Sequence, residues 1–376
     1  MSGRSASAAQ SPEPAVRRGR LLRRGLLALA GVGLLAGFCG GLWRLGLVLP
    51  HGAGLAPLHG PLMIAGMGAL ISLERAVALG AGWAYLGPLS VVLGGILLLG
   101  GAPVPGIAAC LFASIILAAA SVRIARIQPA LFTWTMALGA AAWIAGNLVW
   151  LAAGDLPMAA GWWLVFLILT IAGERLEMSR LLPPKRGGTA LFVLSAVLLL
   201  AGAGLGMTED LGAAAFGAGL LGTTLWLLRH DIARRTIRMP GQTRFFAVCM
   251  LAGYVWLGIA GLVLLALPPG LHAVSYDAAL HAVTIGFVLS MVFGHALIIL
   301  PAVTGLTVRY TPILYGPLAL LHLSVVIRLL AGLTEALDLR VASGPLTILA
   351  IIAFAACIAA SRPRKAGSVS AEPRTA

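Results

Sequence analysis

A chain of 376 residues is long enough for two or three soluble domains, but 60% hydrophobic residues, 10% charged residues and a mean hydropathy of +1.00 exclude that organisation, since soluble domains keep about a quarter of their residues charged. The sequence describes an all-α, polytopic membrane protein. Its 26 Lys and Arg against 12 Asp and Glu give a formal charge of +14, which in a membrane protein reports topology rather than nucleic acid as a partner.

A spanning helix needs about 20 apolar residues. Division at Gly, Pro and charged clusters predicts twelve: 25–49, 58–79, 82–101, 104–122, 130–153, 158–181, 189–207, 211–229, 245–267, 278–301, 312–332 and 344–360. A basic N-terminal arm (1–24) and a C-terminal tail (361–376) are expected to be disordered around a transmembrane domain over 25–360. The paired arginines before the first run resemble an export signal, but the run is longer than a signal core and lacks a small-residue cleavage site, so it reads as a retained helix.

An even count puts both termini on one side, and the basic residues test that. Arg17, Arg18, Arg20, Arg23, Arg24, Arg123, Arg126, Arg180, Lys185, Arg186, Arg229, Arg234, Arg235, Arg238, Arg244, Arg309, Arg362, Arg364 and Lys365 all fall on that side, whereas the loops of the other offer Arg340 alone. Basic residues are retained on the cytoplasmic side, so the termini read as cytoplasmic and the location as a bacterial inner membrane, crossed many times.

Four separated cysteines, Cys39, Cys110, Cys249 and Cys357, sit in apolar runs with no CxxC or CxxCH spacing, which reads as small hydrophobes rather than covalent haem, iron-sulfur or zinc ligands. The imidazoles are more informative. His59 opens the second helix and His281 the tenth. Because even-numbered helices all start on the outer side, both lie at the same outer depth, where two imidazoles can ligate one haem iron. Helix-to-helix hydrogen bonding is the plainer use of such residues. Asp277, one turn before His281, is expected to hold its other ring nitrogen.

His295 follows His281 by fourteen residues, about 21 Å deeper and within about 40° on an unbroken α-helix, and is a second candidate ligand. Gly286 and Gly294 beside it would admit a flat ring or another helix. His51, in the first outer loop, is a candidate metal ligand, with hydrogen bonding between helices as the plainer reading. His322 reads as a helix-to-helix hydrogen-bonding residue, and His230 and His272 as solvated. Arg44 and Arg328, near outer helix ends, either snorkel to headgroups or pair with haem propionates. Trp143, Trp150, Trp162 and Trp163 read as an interfacial belt.

A second constellation lies toward the cytoplasm. Glu74-Arg75 ends the second helix and Glu174-Arg175, with Glu177 and Arg180, ends the sixth. The plain reading is structural ion pairing, including Glu177 with Arg180; the sharper one is a point where protons enter or a clamp for propionates.

The twelve-helix plan with these two histidines resembles the catalytic subunit of haem-copper oxidases. More closely, Leu58-His59-Gly60-Pro61-Leu62-Met63 with Leu73-Glu74-Arg75-Ala76-Val77, and Leu280-His281-Ala282 with Gly294-His295-Ala296, resemble the NnrS family of bacterial membrane proteins. That resemblance implies a non-covalent b-type haem, copper as a further metal, and a role with nitric oxide, a small gas ligand, or in electron handling through a redox partner. The sixth and seventh helices carry no His, unlike the oxidases' copper-bearing helices, which argues against a proton-pumping oxidase. The alternative expectation is a proton-coupled permease using Glu74, Glu174 and Glu177; a scaffold for another complex is a third.

Overall fold

The computed structural model describes residues 14–182 and 186–361. Lys185, Arg362, Arg364, Lys365 and the expected disordered ends at 1–13 and 362–376 lie outside the described residues. Among the described residues, twelve helices are long and apolar enough to cross a membrane, and the chain is a multi-pass, all-α membrane protein. In chain order they are α1 (Pro14–Arg44), α2 (Gly52–Leu79), α3 (Gly82–Leu99), α4 (Pro103–Ile127), α5 (Leu131–Ala153), α6 (Leu156–Ser179), α7 (Gly188–Leu205), α8 (Asp210–His230), α9 (Gly241–Ala266), α10 (Val274–Thr304), α11 (Pro312–Leu333) and α12 (Leu337–Ala360). With no water in the hydrocarbon region, helices satisfy their own backbone groups, and among the described residues no strand forms.

The boundaries that differ most from expectation are the starts of α1 and α12. The basic arm is helical from Pro14 and continues α1, because its arginines find fixed partners: Arg23 Nε donates to Tyr85 Oη at 2.8 Å and Arg24 Nε to the Thr304 carbonyl at 3.0 Å. α12 starts at Leu337, so Arg340 lies in its first turn.

Most neighbours in sequence are neighbours in space, as short loops require. The exception that matters is at the centre, where α2, α6 and α10 touch one another. All three run from the outer to the arginine-rich side. Apolar side chains gain nothing by leaving lipid for protein, so the helices associate through close packing. The crossing of α8 and α9 is an example: a Cβ on Gly217 would stand 2.9 Å from the Gly261 carbonyl oxygen, and one on Gly261 2.8 Å from that of Gly217. Outward faces stay apolar, as in the α3 stripe of Leu86, Leu89, Leu93 and Ile96, all exposed.

The tryptophans of α5 and α6 do not form a belt. Trp143, Trp150 and Trp163 are buried, with Trp143 stacked on Phe166 and the Trp163 indole donating to Asn147 Oδ1 at 3.0 Å. They fill the contacts of α5 with α6 and α2, where Gly146 of α5 and Gly68 of α2 leave room for the Trp163 and Trp143 rings.

Candidate functional site

α2 starts as a turn over Gly52–Leu55 and a 3-10 turn over Ala56–Leu58 before the regular helix begins at His59. Pro61 lies in that helix's first turn, where its missing N–H is no loss. His59 faces α1, and its Nδ1 lies 2.8 Å from the carbonyl oxygen of Gly37. A carbonyl only accepts, so Nδ1 carries the hydrogen and Nε2 the free lone pair. α1 comes this close because Gly37, Gly40 and Gly41 share one face; a Cβ on Gly41 would fall 2.7 Å from His59 Cε1.

His281 repeats the arrangement from α10. Its Nδ1 donates to the Asp277 carbonyl at 2.8 Å, leaving Nε2 as the open nitrogen. Asp277 is thus the residue that holds this nitrogen, as expected, and does so through its backbone oxygen: its Oδ1 is 3.4 Å from the same nitrogen and is taken by Arg328 in a two-point pair, Nη2 to Oδ1 at 2.9 Å and Nε to Oδ2 at 3.1 Å. Arg340 Nη2 adds a contact at 3.7 Å. Arg328 therefore neither snorkels nor stands free. Arg44 ends α1, exposed, within electrostatic reach of His59.

The structure brings His59 and His281 together, with ring centroids 6.5 Å apart and planes within 9° of parallel. Two imidazoles that held one metal ion between them, on the line joining their centres, would span two metal–nitrogen bonds of about 2 Å and two centroid-to-nitrogen distances of about 1.2 Å, in all about 6.4 Å. The donor set is chemically ready as well: each ring has one nitrogen held by a backbone carbonyl, the outer-shell hydrogen bond that fixes tautomer and orientation in metal-ligating histidines.

The other sequence candidates fall elsewhere. His51 occupies an exposed turn in the left-handed conformation, φ 59°. Among the described residues, no three or more His, Cys, Asp or Glu side chains are grouped to hold a metal ion. His322 accepts the Trp256 indole N–H at 2.9 Å, a contact between α11 and α9. His230 is not a solvated loop residue: it stacks on Trp226 and its ring seats against Gly188. His272 is exposed before α10.

His295 leaves the stripe expected for it. Residues Ala282–Leu289 of α10 are π-helical, and an i→i+5 turn holds one residue more than an α turn, so the fourteen residues advance the helix like thirteen, about 140° around. Gly286 and Gly294 admit another helix, α9: a Cβ on Gly286 would meet the Trp256 ring and one on Gly294 the Met250 side chain.

His295 instead joins the Glu-Arg pairs. Arg75 Nη2 lies 3.4 Å from Glu174 Oε1 and 2.8 Å from Met136 Sδ, tying α2 to α6 and α5. His295 Nδ1 donates to the Met291 carbonyl at 2.7 Å; its Nε2 is 3.2 Å from Arg175 Nη2 and 3.8 Å from Glu174 Oε2. Arg175 lies over the Phe246 ring, and its Nε is 3.9 Å from Asp231 Oδ2 without a hydrogen bond. The expected Glu177–Arg180 bridge is replaced by Arg180 over the Phe132 ring.

Two members escaped the sequence reading, Asp231 and Tyr254. Asp231 is fully buried, accepting the Tyr254 hydroxyl at 2.7 Å and the Ala233 N–H at 2.6 Å. The one available signal was an acid standing alone among the arginines of the α8–α9 loop.

A family model described as "Domain of unknown function (DUF8744)" matches residues 20–363, nearly the whole chain, and the chain belongs to that family. No curated protein matches it.

Proposed function

We propose that this member of the family is an integral haem protein of a bacterial inner membrane, with the arginine-rich face toward the cytoplasm, and that His59 and His281 would together hold the iron of one non-covalent, b-type haem. The observation that carries the reading is the facing pair: two near-parallel imidazoles 6.5 Å apart, each with Nδ1 donated to a backbone carbonyl. Gly41 leaves the His59 ring its place, Asp277 and Arg328 fix the turn that presents His281, and Arg44 is the cation left for a propionate.

A haem iron in that position supplies one-electron redox chemistry. Around it, the protein's residues hold the imidazoles in one tautomer, keep the outer end of α10 from turning, and exclude water with apolar helix packing. The role that fits is a response to nitric oxide or nitrosative stress, or electron handling, as the likeness to the NnrS family suggests; the residues that would ligate an oxidase copper are missing from α6 and α7. Copper, if carried, has no three-imidazole cluster among the described residues.

Protein expressed with ample haem and purified from membranes is expected to show a Soret band with about one haem per chain, falling to background in His59→Ala and in His281→Ala. A colourless wild-type preparation, or one that carries copper and no haem, overturns the assignment.

A further inference from the structure

The cluster at the other end of α2, α6 and α10 is independent of the histidine pair. It holds three carboxylates, Glu74, Glu174 and Asp231, and two guanidiniums, Arg75 and Arg175, the latter two buried. His295 does not supply the missing positive charge. Its Nδ1 donates to Met291, and its Nε2, 3.2 Å from Arg175 Nη2, must be the acceptor of that N–H, which only the neutral ring can be. With every carboxylate ionised, the cluster would carry one uncompensated negative charge within the membrane, a costly state.

One proton removes that charge, and the contacts indicate where it sits. Asp231 accepts on both oxygens, from Tyr254 and from the Ala233 N–H, and faces Arg175. Glu174 is paired with Arg75. Glu74 forms no hydrogen bond or ion pair among the described residues, although Glu174, Arg75 and His295 all act on it electrostatically. The remaining charges near α2 are engaged or turned away: Arg23 on Tyr85, Arg24 on Thr304, Arg180 over Phe132, with Arg123 and Arg126 exposed on α4; Glu177 lies one turn beyond Glu174 on α6.

Glu74 stands five residues before the end of α2, and Glu174 five before the end of α6, about 7.5 Å from the helix ends. Water on the arginine-rich face is therefore near. We infer that this cluster is a proton-binding site loaded from the arginine-rich face, with Glu74 the residue that carries the proton and His295 the neighbour that receives it. The step is a transfer alone: an O–H bond forms on Glu74 from a hydronium ion of bulk water, and no electrons move. If the proton passes to Nε2, His295 loses Arg175 as a donor and gains Glu174 Oε2, 3.8 Å away, as an acceptor.

The test is infrared difference spectroscopy on the full chain in sealed vesicles. The expected result is a carbonyl-stretch band of one protonated carboxylic acid that disappears as pH rises, responds to a pH jump on the arginine-rich face only, persists in Glu177→Gln and is absent in Glu74→Gln. Because Gln copies a neutral carboxyl, Glu74→Gln should melt with the wild type, while Glu174→Gln should not; if Glu74→Gln fails to accumulate, Glu74→Asp should keep the band with its midpoint moved. No titrating band, a band that survives Glu74→Gln, or a response from the other face overturns the inference.

Discussion

At the scale of single residues, Asp277 has two jobs on two atoms. Its backbone oxygen sets the tautomer of His281, and its carboxylate anchors the same turn to α11 through Arg328. The Arg328 side chain is 10% exposed and that of Asp277 29%, so the pair is only partly screened, and removing Arg328 leaves the carboxylate with the longer 3.7 Å contact to Arg340 as its remaining guanidinium. Arg328→Leu is expected to cost about 1–3 kcal/mol, below the range for fully buried pairs, read as a lower thermal midpoint, and to weaken haem retention several-fold. Arg328→Lys should recover less than half of the loss, because an ammonium cannot make the two-point contact. Unchanged stability in Arg328→Leu would show that the pair is ornamental. His59 and His281 were legible from sequence because depth follows from topology, and topology from charge. Asp231 and Tyr254 were not, since their meeting depends on how an arginine-rich loop folds back over α9, which no periodicity records.

At the scale of helices, two departures from regular packing place the histidines. One is the glycine face of α1. An Ala at Gly41 would put its methyl 2.7 Å from the His59 ring, while Gly31, on the same helix, has nothing within 4 Å. Gly41→Ala should therefore destabilise by about 1–3 kcal/mol, the usual cost of overpacking, and displace the ring, whereas Gly31→Ala should be neutral or slightly stabilising through helix propensity. The check is haem content per folded chain in the two variants; equal content would refute the packing argument. The other departure is the π segment of α10. Ala-Val-Thr-Ile-Gly-Phe-Val-Leu reads as ordinary apolar helix, so its extra residue per turn was invisible, and with it the rotation that sends His295 to α6 rather than beneath His281. The helices themselves were predictable to within a few residues because length and apolarity are set by the bilayer; the main misses, at the starts of α1 and α12, lie where arginines outside the apolar run are held by partners.

At the scale of the whole molecule, α2 and α10 run in parallel and each carries one residue of the outer pair and one of the inner cluster: His59 and Glu74, His281 and His295. Fourteen residues with one in surplus separate the two sites on α10 by about 20 Å. At that distance, and with an effective dielectric of about 20, one unit charge acts on another with about 0.8 kcal/mol, which is about 0.6 pH unit or about 35 mV for one electron. The sites are thus far enough apart to fold and bind separately, yet close enough that an electron added at the outer pair raises proton occupancy inside. If both readings hold, the Glu74 band should shift its midpoint upward by about half a pH unit on reduction of the haem, and Glu74→Gln, which fixes the inner site as neutral, should abolish the pH dependence of the haem's midpoint potential over that range while leaving the Soret band intact. Potentiometric titration at several pH values checks this. A potential that keeps its full pH dependence in Glu74→Gln would place the responsible proton at the outer site, and a shift well above 35 mV would require a closer charge than any residue of the inner cluster.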